Sequence, residues 1–398
     1  MINKYKIVFI YFKFVILLVC MVAVPRNVNG GAKVKAVQDA NPDIIRGIDL
    51  LYDWEFDRAE ELFSNMCARN PTDPAPFFYY AMVTWSRLAS GFWTPQYIRE
   101  YAERIDKTIF IANKKIEAEN ADSFTYFYLG GALGFRGRFA LMERKWFTAF
   151  NLAYDAVQAL KTCQRMDPGN KDVLLGLGIY DYYTDRLSST LKLISFLLIR
   201  KGGKEEGLQK LHVAAKGALY SGTEAKSMLV HIYLFLESGY EAARPLAEDL
   251  ANRFKNNPRY RFLQGITYIQ LGMENEYGKV VDALLERSRT DASGSKAAIW
   301  KNQALYLQAS YCLFRNQYDK ARSLLDTIRY HADPLTDPAM IAWPLIKTGM
   351  SYDLEGYRDK ALVYYKRILE MGNGAGAQFL AEKYIDAPPE KGDPFIGY

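Results

Sequence analysis

Three stretches of this 398-residue chain share one spacing of small and aromatic residues, and few folds accommodate that spacing. The clearest runs Leu345, Gly349, Tyr352, then Gly356-Tyr357, Ala361, Tyr365 and Ile368. A small residue lets two helices approach, and an aromatic residue three positions later fills the space beside it. A Gly-containing turn follows, then Ala, a large residue four later and an apolar residue three beyond. Near the start, Gly47 and Leu50 lead to Phe56, Ala59, Phe63, Met66 and Pro71. Ala309 and Cys312 lead to Tyr318, Ala321, Leu325 and Ile328. One such match would fit any amphipathic helix; three in register define a repeated helical hairpin.

The unit resembles the tetratricopeptide repeat, whose period is about 34 residues. Looser units fill the rest. Pro76–Leu88 pairs with Gln96–Glu119, and Ser123–Leu133 with the helix carrying Ala156, Leu160 and Cys163. His231 to Leu250 form a unit, Gly265 and Tyr268 open another, and Ala377–Ile385 reads as a terminal helix before an irregular tail. No strand pattern of any length occurs. The expected fold is an all-α superhelical solenoid of about seven or eight hairpins, a single domain over 31–398.

Two segments break the register. Gly134–Phe147 places Arg136, Arg138, Arg144 and Lys145 among Phe135, Phe139 and Trp146. It reads either as an elongated hairpin whose arginines meet local acids, the preferred reading, or as a basic, aromatic lip for an acidic peptide. Leu187–Ile199 is an inserted apolar helix, too short to cross a bilayer. Burial inside the superhelix is expected; the alternative is an exposed patch for a partner or peripheral membrane contact.

The residues Gly176–Leu187, the apolar insert, and Gly207–Gly217 with Thr223-Glu224-Ala225 are similar to a group of exported bacterial tetratricopeptide proteins. That group is distantly similar to the eukaryotic tetratricopeptide repeat protein 39 and inclusion body clearance proteins. The resemblance covers roughly Ala121 onward. It implies a non-catalytic adaptor and supplies no substrate.

The N-terminus has a secretory layout: basic Lys4, Lys6 and Lys13, the apolar run Phe14–Val24, then small and polar residues to Gly30. Residues 1–30 are expected to be a cleaved signal peptide, an uncleaved anchor being the alternative, and the location periplasmic or outer-envelope associated. Cys20 does not fit a lipidation site, since Met21-Val22 continue the apolar run. Without the basic residues of the signal, the formal charge of +6 falls to +2. That excludes an electrostatic footprint for nucleic acid. The remaining cysteines, Cys67, Cys163 and Cys312, lack metal-type spacing; Cys163 and Cys312 read as small buried hydrophobes.

Catalytic patterns are weak. Ser189-Thr190-Leu191-Lys192 with Lys347-Thr348-Gly349 imitates a serine acyl-enzyme, yet no Ser-x-Asn lies between them and Lys347 falls in a repeat helix. His212, His231 and His331 form no metal pair. No cofactor, metal or catalytic residue is expected. What remains is a partner-binding groove lined by aromatic first helices: Phe77–Tyr80 and Trp85, Phe124–Tyr128, and Tyr180–Tyr183. Most of these aromatics are expected in the core, with Tyr126, Tyr180, Tyr182, Tyr183, Arg136 and Arg138 as the candidate contacts to a protein or peptide. A carbohydrate- or small-ligand-binding module, or an acyl-enzyme using Ser189 and Lys192, is the alternative.

Overall fold

The computed structural model describes residues 40–143, 145–185, 203–333, 335–372 and 374–396. The apolar insert, the N-terminal segment, Ser189, Lys192 and Arg144 lie outside the described residues. Within them the chain is an all-α solenoid of consecutive helical hairpins, with no strand. The pairs are α1 (Pro42–Tyr52) with α2 (Phe56–Arg69), α3 (Pro74–Ala89) with α4 (Pro95–Glu117), and α5 (Ser123–Met142) with α6 (Trp146–Met166). Next come α7 (Val173–Asp185) with α8 (Lys204–Gly217), α9 (Gly222–Phe235) with α10 (Tyr240–Arg253), and α11 (Pro258–Gln270) with α12 (Glu274–Thr290). Last are α13 (Gly294–Phe314) with α14 (Tyr318–His331), α15 (Ala339–Leu354) with α16 (Arg358–Leu369), and the terminal α17 (Ala377–Asp386).

The ends of the helices are written locally. Asn41, Asp73, Thr94 and Asn257 each cap a helix that begins with Pro, their side chains accepting main-chain N–H groups that the helix leaves open. The first helix of six hairpins ends on a left-handed residue: Trp54, Gly91, Ser238, Gly272, Asn316 and Gly356. At five of these turns the next N–H reaches back five residues, as from Gln317 to Cys312 (2.7 Å) and from Tyr357 to Tyr352 (2.8 Å). One turn geometry thus sets the angle of several hairpins.

The small positions of the repeat sit where helices touch. A Cβ on Gly47 would fall 2.2 Å from the Phe63 ring, and one on Gly349 2.4 Å from Tyr365. The two layers differ in burial. Ten of the thirteen residues of α11 are buried, against three of fourteen in α14. First helices therefore form an inner layer covered on more than one side, and second helices shield it from outside. Gly134–Phe147 is mostly extra helix: α5 runs to Met142 and α6 starts at Trp146, an elongated hairpin.

The stack then closes on itself. The turn of the first hairpin docks against hairpins five to seven: Tyr52 donates to Glu224 (3.0 Å), Asn256 donates twice to Asp53 (3.0 and 2.7 Å), and Asn257 to the Tyr52 carbonyl (2.8 Å). Trp54 packs on Trp300 with ring centres 6.4 Å apart. One hairpin later, the Trp93 N–H donates to the Thr336 carbonyl at 2.8 Å. Another hairpin on, Trp146 meets Phe379 edge to face. A cleft of about 600 Å³ at this seam is lined by Asp53, Arg253, Asn256 and Arg287, all engaged in its bonds.

Two predictions follow from the packing. Gly207 meets α7 backbone to backbone: an added Cβ would lie 2.6 Å from the Tyr182 nitrogen and 2.8 Å from the Gly178 oxygen. Neither neighbour can rotate away, so Gly207→Ala should destabilise by about 1–3 kcal/mol in urea unfolding. Gly278 has open space around it within α12, so Gly278→Ala should stabilise by about 0.5–1 kcal/mol.

Asp337, beside the seam, has its carboxyl pushed up to about 6 by burial, with Asp333 adding to the shift. The unfolded chain loses that proton near 3.8. The folded protein therefore holds a proton that the unfolded chain has released, and stability falls as pH rises from about 4 to about 6. Above that range the ionised group is a constant penalty. Asp337→Asn should raise stability by about 1–3 kcal/mol at pH 7.5, with a smaller gain at pH 4.5.

Candidate functional site in the inner layer

The expected partner contacts separate once placed. Tyr182 is fully buried, and its hydroxyl donates to Glu237 at 2.6 Å, so it is a core residue rather than a partner contact. Tyr180 and Tyr126 are half-buried and pack on the core of the first hairpins. Burial pushes the Tyr180 hydroxyl up to about 12, with Asp181 adding to the shift. Arg136 is paired with Asp106 on α4 at 2.9 Å, as a structural reading of the elongated hairpin requires. Tyr183 is 41% exposed and holds an edge-to-face contact with Tyr182. Consecutive tyrosines on one helix point about 100° apart, which puts Tyr182 in and Tyr183 out.

Arg138 behaves differently. It is solvent-accessible, yet protein surrounds its guanidinium and burial lowers its pKa. Glu224 favours its charge and Arg259 opposes it, although these stand on hairpins five and six. Water-accessible and enclosed at once, Arg138 faces an interior that several hairpins share. Its guanidinium lies 5.2 Å from the centre of the Trp85 ring, and among the described residues it has no ion pair.

The groups opposite are already engaged. Glu224 accepts from Tyr52. His231 donates from Nδ1 to the Ser227 carbonyl (2.7 Å) and accepts at Nε2 from Arg259 (2.9 Å). Burial lowers its pKa to about 3, with Arg259 and Arg138 pushing the same way, so it stays neutral. The interior therefore presents two arginines, one carboxylate and a neutral imidazole against aromatic walls.

A second feature of the inner layer escaped the sequence. Lys347, on α15, is 1% exposed. Its Nζ donates to the main-chain carbonyls of Phe395 and Ile396 (2.9 Å to the latter). Burial lowers its pKa well below that of a free lysine, partly opposed by Asp393. The segment read as an irregular tail thus folds onto the inner helices, with the Phe395 ring stacked on Phe235 at 5.8 Å. No periodicity marks such a segment, and a lone lysine in an apolar helix was its one signal.

Lys347-Thr348-Gly349 is wholly within α15, with Thr348 donating to the Pro344 carbonyl. A K-T-G strand is not formed there. Cys163 and Cys312 are buried free thiols, as small hydrophobes should be. The His212 ring bonds Tyr233 at 2.6 Å, and His331 ends α14.

No protein-family model and no curated protein matches the chain. Among solved structures it is similar to the human IFIT1 dimer with PPP-AAAA, at 13% identity over 79% of this chain and 68% of that one, with a TM-score of 0.23. So loose a superposition carries no argument, and the assignment rests on the chain's own helices: an all-α solenoid of consecutive helical hairpins.

Proposed function

We propose that this protein is a non-enzymatic interaction scaffold, exported to the cell envelope, that holds a segment of a partner protein against its inner helices. The observation that supports the binding reading is Arg138, a water-accessible arginine enclosed by the solenoid, stacked by Trp85 and without an ion-pair partner among the described residues. A carboxylate brought by a ligand would complement that guanidinium with a charge-assisted, bidentate bond. Tyr183 supplies an exposed aromatic face. The envelope location rests on the N-terminal sequence pattern alone.

The test replaces Tyr183 with a photo-crosslinking phenylalanine analogue in intact cells. A discrete crosslinked protein is expected. Arg138→Ala should weaken capture about tenfold or more, the scale of one charge-assisted hydrogen bond, and Arg138→Lys should retain part of it. A smear without a discrete partner, or capture indifferent to Arg138→Ala, refutes the reading.

A further inference from the structure

The segment 388–396 is bound in the way a foreign peptide would be. Its 3-10 turn, Pro394–Ile396, packs on α9 and α13 and is held by Lys347 from α15, so hairpins five, seven and eight all contribute. Recognition divides into three parts. Lys347 binds two successive main-chain carbonyls, which the 3-10 turn points the same way; a peptide of any sequence can offer them if it adopts that turn. Phe395 lies parallel to Phe235 and, with Leu324 and Trp343, packs on two core clusters, while Ile396 is 6% exposed. Asp393 accepts from Lys383 (2.9 Å) and, through the same side chain, from the Phe395 N–H (3.0 Å), which shapes the turn.

Ahead of the turn, Pro388, Glu390, Lys391 and Gly392 are exposed and Pro389 alone is buried, so most of the lead-in faces solvent. The attachment is therefore a short anchored patch at the end of an open connection, small enough to exchange. The inner layer elsewhere is fixed by helix-on-helix packing and offers no such removable element among the described residues.

We propose that the inner face of hairpins five, seven and eight is a peptide-binding site, that segment 388–396 is its resident occupant, and that the exchanging ligand is a partner segment in which an acidic turn leads into an aromatic–aliphatic pair, as in Asp-Pro-Phe-Ile. This rests on the scaffold reading above and gives the partner a chemical class. The wild-type chain then shows a weakened apparent affinity, because the site is open only for the fraction of time that Phe395 is out.

A labelled peptide with the sequence of residues 388–396 tests it by fluorescence anisotropy on the full chain. The Phe395→Ala chain should bind the peptide about tenfold more tightly than the wild type, in proportion to the vacated fraction. Adding Lys347→Met, whose long apolar side chain suits the buried position, should abolish binding with helical circular dichroism unchanged. If Lys347→Met does not fold, amide hydrogen exchange at Phe395 and Ile396 of the wild type should accelerate when excess peptide is added. Equal affinity for wild type and Phe395→Ala, binding that survives Lys347→Met, or exchange that ignores the peptide overturns the proposal. Crosslinking at Tyr183 reads the other site, so a peptide failure with crosslinks intact removes this site and leaves the scaffold.

Discussion

The docking of the first hairpin on hairpins five to seven is the constraint on which the rest depends. A stack of helical hairpins otherwise has only neighbour contacts, and its stability is a sum of local terms. Here Asp53 is bound by Asn256, Tyr52 by Glu224 and Trp54 by Trp300, across more than 170 residues of chain. A buried carboxylate supports the same seam: Asp172 accepts the N–H groups of Tyr220 and Ser221 at 2.7 Å each, and the Tyr220 hydroxyl accepts from Asn41 at 3.0 Å. These contacts turn an open ribbon into a closed turn. Across that closure, Glu224 and Arg259 act on the charge of Arg138, whose side chain stays exposed.

Closure also accounts for the tyrosines. An inner helix that is covered on most sides needs large side chains, and Tyr fills volume while keeping one polar atom at its tip. That atom finds a carboxylate on another element again and again: Tyr52 on Glu224, Tyr182 on Glu237, Tyr268 on Glu248 and Tyr365 on Asp353. Each pair links an inner helix to a neighbour or to its own hairpin turn, and the carboxylate together with burial raises the hydroxyl pKa where the shift is described, as at Tyr52 and Tyr365. An aromatic-rich first helix is thus mainly a packing device. The surplus that faces water, as at Tyr183, is what a ligand can use.

The sequence was most legible where the cause is local. Gly47 and Gly349 mark helix contacts because a side chain there would strike Phe63 or Tyr365, and Pro after Asn, Asp or Thr marks helix starts. What stayed hidden has a non-local cause. The helical period cannot distinguish Tyr182 from Tyr183 without knowing which face meets Glu237, a residue 55 positions away. Nothing near Asp53 announces Asn256. Segment 394–396 lacks any period, and its place is set by Lys347, 48 residues upstream of Phe395. The candidate site was half-legible for the same reason: Arg136 and Arg138 look alike in sequence, and only the position of Asp106 separates the paired arginine from the open one.

Arg138 and Lys347 then show how one inner layer treats two cations. Surrounding protein lowers the pKa of both, but only Lys347 is removed from water and needs oxygen ligands to offset the loss of hydration. Lys347 is a compact point donor and takes main-chain carbonyls, which carry partial charge and fit in a narrow space. Arg138 is a planar donor over an indole, with access to water and no carboxylate of its own among the described residues. A carbonyl ligand suits a site meant to grip any backbone; an open guanidinium suits a site that discriminates by charge. On the scaffold reading, the proposed gripping site on hairpins five, seven and eight would hold a ligand by its main chain, and the proposed contact at Arg138 would choose it by its acid.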